Sequence, residues 1–171
     1  MGKFLAVFLL GSAVIAGASM YYLQVYGLYD EAKTSDVQLV SVVDDLPKSI
    51  SFDNFQAIDS LSSPIRYRAC FTTDLSISLL SETYVGLEKA SPRNAPKWFN
   101  CFDAVAIGAE LMAGTAVPFL GQKNVHFGVD RIVAITNDGR GYIWHDLNDC
   151  GDKAYDGTIV GEECPGREAT E

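Results

Sequence analysis

The stretch GYIWHDLNDCG, residues 141 to 151, places a histidine, a carboxylate and a cysteine within six positions. Cysteine nucleophiles and metal sites both use the residue types of His145, Asp146 and Cys150. A nucleophilic cysteine needs a free thiol whose pKa is lowered by a neighbour. In a strand, however, successive side chains point to opposite faces, so His145 and Asp146 would not lie side by side. We expect surface or capping roles for these two residues and no catalysis.

The cysteine count indicates a compartment rather than a reaction. All four cysteines follow the apolar N-terminal segment, and an even count in such a position predicts two disulfides in an oxidising space. The spacing contains no C-x-x-C redox pair, and only two histidines are available for a metal. Three pairings are open. We favour Cys70–Cys101 and Cys150–Cys164, because the second bond would close a Gly- and Asp-rich segment with little apolar content.

The first 29 residues predict a transmembrane anchor. Residues 4 to 29 carry no charge, and as a helix they would cover the roughly 30 Å of a bilayer core. Tyrosines, which suit a membrane–water interface, cluster at the far end of this segment: Tyr21, Tyr22, Tyr26 and Tyr29. The alternative is a cleaved signal peptide, because Ala16-Gly17-Ala18 resembles a cleavage site. The apolar run continues eleven residues past Ala18, which favours a retained anchor.

The charges that flank the anchor predict its orientation. Lys3 precedes the apolar run and Asp30 and Glu31 follow it, so the N-terminus is expected in the cytoplasm and the rest outside. Small residues four positions apart let another helix approach closely and mark a helix-packing face in the membrane: Ser12 with Ala16, and Ala13 with Gly17.

The exported part is strongly acidic. It contains all 22 acidic residues and 12 of the 13 basic ones. This charge repels phosphate backbones and disfavours nucleic-acid binding and contact with anionic lipid. It favours a basic protein partner, or serves solubility alone.

The exported elements predict a small α+β domain. We expect a juxtamembrane linker or stalk at residues 30–49, in which residues 37–43 are an edge strand or more stalk, and a domain at residues 50–164. Within it, residues 50–59 suggest a short helical turn, residues 63–71 alternate as a strand, and helices are expected after Thr72 and at residues 103–114. His126 is expected in a loop. The Asn-Asp-Gly between RIVAIT and GYIWHDL predicts an antiparallel hairpin, and residues 165–171 form a polar tail.

A partner or ligand surface is the remaining candidate site. Arg66 and Arg68 alternate onto one strand face and Arg140 lies at the hairpin tip, so these arginines could clamp a carboxylate. They could equally pair with the domain's own acids. Trp98 and Trp144 could line a groove, or belong to the core. No G-x-S-x-G elbow or phosphate loop is present, so we expect no cofactor.

Three segments resemble a family of membrane-anchored proteins, a domain of unknown function from the rhodobacter group of alphaproteobacteria. The segments are FQAIDSLSSPIRYRACF, WFNCFDAVAIGAEL and VDRIVAITNDGRGYIWHDLN. This resemblance implies a Gram-negative inner membrane with the domain in the periplasm, and it implies no activity.

Together these features predict a single-pass inner-membrane protein without catalytic activity. It would be an accessory, assembly or scaffolding subunit of an envelope complex. A periplasmic ligand-binding or sensing module is the alternative, and a hydrolase is a third reading.

Overall fold

An apolar N-terminal helix leads into a domain built mainly from antiparallel strands. The computed structural model describes residues 2–33, 36–162 and 164–165. The helices are α1 Gly2–Tyr22, continued by a π-helical turn Leu23–Gly27, α2 Ile77–Thr83 and α3 Ala104–Ala113. The strands are β1 Asp30–Glu31, β2 Val37–Val40, β3 Pro47–Ile50, β4 Asp53–Asp59, β5 Arg68–Thr72, β6 Ala116–His126, β7 Val129–Thr136 and β8 Arg140–Leu147. The predicted α+β class is confirmed.

The main sheet has six antiparallel strands in the order β1-β4-β5-β8-β7-β6. A second sheet contains only β2 and β3. Val85 joins the two sheets, because its N–H donates to the Val40 carbonyl and its own carbonyl accepts from the N–H of Leu120. The small sheet is therefore linked through Val85 to the edge strand β6 of the large one.

Both faces of the main sheet are covered, which explains the unbroken apolar run IVAI at residues 132–135 of β7. On one face Val133 and Ile135 pack with β2, β3 and α2. On the other face Ile132 and Ala134 pack beneath α3 and the loop that precedes it.

Local sequence signals fix α3 and the hairpin. The Asp103 carboxylate accepts from the N–H groups of Val105 and Ala106, and Gly114 ends the helix in a left-handed conformation with a φ of 70°. Strands β7 and β8 pair from Val129↔Leu147 to Ile135↔Gly141, so the predicted hairpin is confirmed.

Residues 30–33 and 36–49 are part of the domain, so the prediction of a linker or stalk is wrong for them. Asp30 pairs with Asp59 at the edge of the main sheet. Val37 and Leu39 are fully buried, which matches the edge-strand alternative for this segment. Of the predicted tail, residues 166–171 lie outside the described residues.

The helical turn predicted at residues 50–59 is also wrong, because Ile50 ends β3 and residues 53–59 form β4. Asn54 has a φ of 53°, and the pairing with β5 shifts register between Asp53 and Gln56. This bulge brings Phe52 and Phe55 onto the same core face, and their threefold spacing imitates a helix. His126, predicted in a loop, ends strand β6.

Both predicted disulfides are present. Cys70 of β5 bonds Cys101, which lies just before α3, and Cys150 bonds Cys164. The first bond fastens the covering loop to the sheet, and the second closes the C-terminal segment onto the end of β8.

We predict opposite effects of alanine at two glycines. A Cβ on Gly141 would overlap the Phe71 ring on the neighbouring strand, whereas one on Gly108 of α3 would contact Pro92 at an ordinary 3.7 Å. Gly141→Ala should therefore lower the free energy of unfolding by about 1–3 kcal/mol. Gly108→Ala should raise it by about 0.5–1 kcal/mol, because alanine favours helix. Denaturant titration of the full chain measures both, and equal effects would contradict the packing described.

Candidate interaction site

Arg68 is a buried cation that holds the covering loop in place. Its side chain is only 4% exposed, so its predicted place on a partner surface is wrong. The guanidinium donates to the carbonyls of Arg93 and Asn94 at 2.9 and 3.0 Å, and to those of Ile65 and Tyr67 at 2.9 and 2.6 Å. Burial lowers the Arg68 pKa to about 10, which leaves the group charged at neutral pH.

The loop fastened by Arg68 covers one face of the sheet. Arg93 donates through Nε to the Asp146 carboxylate at 2.8 Å, and Phe99 and Phe102 pack inward. Trp144 lies fully buried beneath Phe102, so its assignment to an exposed groove is also wrong, and the core alternative applies.

Trp98, from the same loop, contacts the end of the N-terminal helix. Its indole Nε1 donates to the Val25 carbonyl at 2.6 Å in the π-helical turn. The indole stacks on Tyr26 at 6.3 Å and meets Tyr29 edge-on at 6.1 Å. A cavity of about 520 Å³ beside it is lined by both segments. The helix and the domain are thus joined by direct contacts.

The three predicted arginines do not form one clamp. Arg66 lies over the Tyr29 ring, 5.5 Å from its centroid, near the end of the N-terminal helix. Arg140 lies at the opposite end of the sheet and donates to Asp138 and Glu110 at 2.8 Å each. These hydrogen bonds raise the Arg140 pKa above its ordinary value. Arg140 therefore pairs with acidic residues of its own domain, which was the alternative prediction.

The reactive-looking residues of GYIWHDLNDCG are not brought together. His145 is 2% exposed, so its predicted surface role is wrong. Its Nδ1 bonds the Pro64 carbonyl at 2.7 Å, Arg131 donates through Nε to its Nε2 at 3.1 Å, and its ring stacks on Tyr67. Burial lowers the His145 pKa to about 4.

Asp146 points to the other face of the sheet, where it meets Arg93, and Cys150 is in a disulfide. The strand alternation read from the sequence therefore separates His145 from Asp146. Within the described residues, no group of three or more His, Cys, Asp or Glu side chains is placed to hold a metal.

The outward face of α3 is a candidate site that was not predicted from the sequence. Val105 is 80% and Met112 is 86% exposed, one on each end of the same face. The alanines between and beside them are also exposed: Ala106, Ala109 and Ala113. The only charged residue of α3, Glu110, is engaged by Arg140. The signal was present, because a surface helix normally carries a polar face and AVAIGAELMA does not.

A family model described as a family of unknown function (DUF6446) matches residues 37–165. Neither the curated proteins nor the solved structures contain a significant match.

His145 should make stability pH-dependent. The folded protein keeps this histidine neutral down to about pH 4, while the unfolded chain protonates it near its ordinary pKa of 6.5. The stability it contributes is therefore complete above pH 6.5 and is lost as the pH falls toward 4, by on the order of 3 kcal/mol. Denaturant unfolding of wild type and His145→Gln between these pH values measures the loss. The free energy of unfolding should depend less on pH in His145→Gln than in wild type, and His126→Gln should keep the wild-type pH dependence. An equal pH dependence in all three proteins would contradict the assignment.

The Trp98 hydrogen bond should order the end of the N-terminal helix. Trp98→Phe keeps an aromatic ring but removes the donor to Val25, so amide exchange across residues 23–31 should become several-fold faster. Hydrogen-exchange mass spectrometry of the full chain in detergent measures this. Tyr155→Phe, which alters a fully exposed ring, is the control. Unchanged exchange in Trp98→Phe would show that other contacts hold the junction.

Proposed function

The chain belongs to the family of unknown function DUF6446, and from its structure we propose that it is a membrane-anchored accessory subunit whose domain binds a protein partner through α3. Helix Gly2–Gly27 is long and apolar enough to cross a membrane. The two disulfides agree with an oxidising compartment, which for an inner-membrane protein is the periplasm. The N-terminus then lies in the cytoplasm.

The outward face of α3 is the observation that carries the proposal. A soluble protein domain rarely exposes a contiguous apolar stripe unless that stripe is an interaction site. Val105 and Met112 lie seven positions apart on one face, with alanines between them that let a partner backbone approach closely. Glu110 is held aside by Arg140, so no free charge interrupts this face.

The role proposed is structural rather than catalytic. His145 is buried with both ring nitrogens engaged, and all four cysteines are in disulfides. Ser12, Ala13, Ala16 and Gly17 face outward from α1 and would pack against a second helix of the same complex in the membrane.

A periplasmic ligand-binding or sensing module is the second candidate. The observation in its favour is a pair of cavities, of about 680 and 520 Å³, that share the lining segment from Asn94 to Lys97. Recovery of a small molecule with the purified chain, and of no protein, would favour this function.

Photocrosslinking tests the partner surface. The photoreactive residue p-benzoylphenylalanine at position 112 of the full chain should form protein adducts in the native membranes, and the same residue at the exposed, polar Asn137 should not. Mass spectrometry identifies the adducts. Similar yields at the two positions would contradict the proposal.

A charge on α3 should remove the partner. Burying a methionine side chain contributes about 1.5–3 kcal/mol, so Met112→Glu should weaken partner recovery by about tenfold or more. Leu79→Glu places the same charge on a half-exposed leucine of α2 and is the matched control. Equal recovery with both variants would show that α3 is not the docking face.

A further inference from the structure

The geometry points to a second contact surface: the end of the sheet that receives the anchor rests on the bilayer and inserts its turns among zwitterionic lipid headgroups. This inference rests on the anchor of the proposed function and does not depend on the partner of α3. We call this end of the sheet the anchor end.

Strand register defines the anchor end. The chain enters β1 from the N-terminal helix, with Glu31 opposite Ile58. A line of paired residues then crosses the sheet at the same level: Ile58↔Arg68, Arg68↔Trp144, Trp144↔Ile132 and Ile132↔Leu120. The residues beyond this line, in the direction of Tyr29, lie at the end of the sheet to which the anchor is attached.

The turns beyond this line expose large apolar side chains. Val42, Val43 and Leu46 lie in the β2–β3 turn, Leu61 in the β4–β5 connection, Phe127 in the β6–β7 turn and Leu147 at the end of β8. Val43 is 88% and Leu147 is 63% exposed. Leu147 is three residues past Trp144, or about 10 Å further along the strand. These side chains therefore project from the anchor end.

The opposite end has the contrary character. Its turns contain mainly polar residues and glycine: Ser51, Thr73, Asp74, Gly114, Thr115, Asn137, Asp138 and Gly139. Phe52 and Leu75, which also lie there, pack against the core. Among the turns of the main sheet, the large exposed apolar side chains are therefore concentrated at the anchor end.

A lipid surface is the occupant that these observations favour. Tyr26, Tyr29 and Trp98 contact one another at the end of the anchor, and amphipathic aromatic rings concentrate at membrane interfaces. The apolar turns project from the same end of the sheet. The contacts of Trp98 with Val25 and Tyr26 leave the domain close to the end of the helix rather than on a tether.

The charges at the anchor end select the headgroup. Asp44 pairs with Lys48 at 2.7 Å, and Asp146 pairs with Arg93, so two of the carboxylates there lie beside cations. Lys97 is exposed beside the anchor. A mixed surface of this kind fits zwitterionic phosphatidylcholine or phosphatidylethanolamine, while the acidic domain as a whole disfavours anionic lipid.

Crosslinking to lipid in purified vesicles tests the inference without any partner protein. The full chain, carrying p-benzoylphenylalanine at position 43, 127 or 147, is reconstituted into phosphatidylcholine vesicles and irradiated, and lipid adducts are measured by mass spectrometry. Adduct yield should be several-fold higher at these positions than at position 137. It should persist when ionic strength rises from about 0.05 to about 0.5 M, because apolar contacts are not screened.

Ile15, in the middle of α1, separates this inference from the anchor proposal. Lipid adducts at position 15, with yields at 127 and 147 no higher than at 137, would overturn the lipid contact and leave the anchor intact. No adduct at position 15 would overturn both. Adducts of position 127 with a second copy of the chain, in place of lipid, would identify the anchor end as a protein interface and overturn the inference.

Discussion

The buried guanidinium of Arg68 is the interaction on which the arrangement of the molecule depends. A cation removed from water is costly unless its donors are satisfied, and here four backbone carbonyls accept from it. Two of these carbonyls belong to the loop before α3, so the loop can cross the sheet only where Arg68 lies. The Cys101 disulfide, the Arg93–Asp146 ion pair and the position of Trp98 all lie in the same loop or are held by it.

This loop also connects the two parts of the domain that face different surroundings. Through Trp98 it reaches the proposed anchor, and through Asp103 it begins α3. In the proposed arrangement, the exposed turns around Phe127 and Leu147 face the bilayer, the apolar face of α3 lies at the side, and the polar hairpin tip at Asn137 lies farthest from the membrane. Under this proposal the two apolar surfaces of one small domain contact two different neighbours, a lipid headgroup layer and a protein.

Local signals in the sequence were sufficient for some elements and not for others. The Asp103 cap, the Asn-Asp-Gly turn and the cysteine spacing each act over a few residues, and the structure contains all three features. The bulge at Asn54 depends on pairing with β5, so the sequence alone suggested a helical turn. The alternation of side chains along the strand predicted which face Arg68 lies on, but not that Arg68 is buried. Alternation does not reveal that both faces of the sheet are covered. The lack of a polar face in AVAIGAELMA was a signal for the apolar surface of α3, but the packing of the helix was needed to show which side is exposed.

The contacts of Trp98 with the end of the N-terminal helix set the rotation of that helix relative to the domain. Since an α-helix turns by about 100° per residue, the direction in which Ala13 and Gly17 face on the proposed anchor is coupled to the direction in which Met112 faces on the domain. A partner that contacts both the helix and the domain must match this angle. One residue inserted between Gly17 and Tyr22 would rotate the two surfaces relative to each other while leaving each of them chemically unchanged.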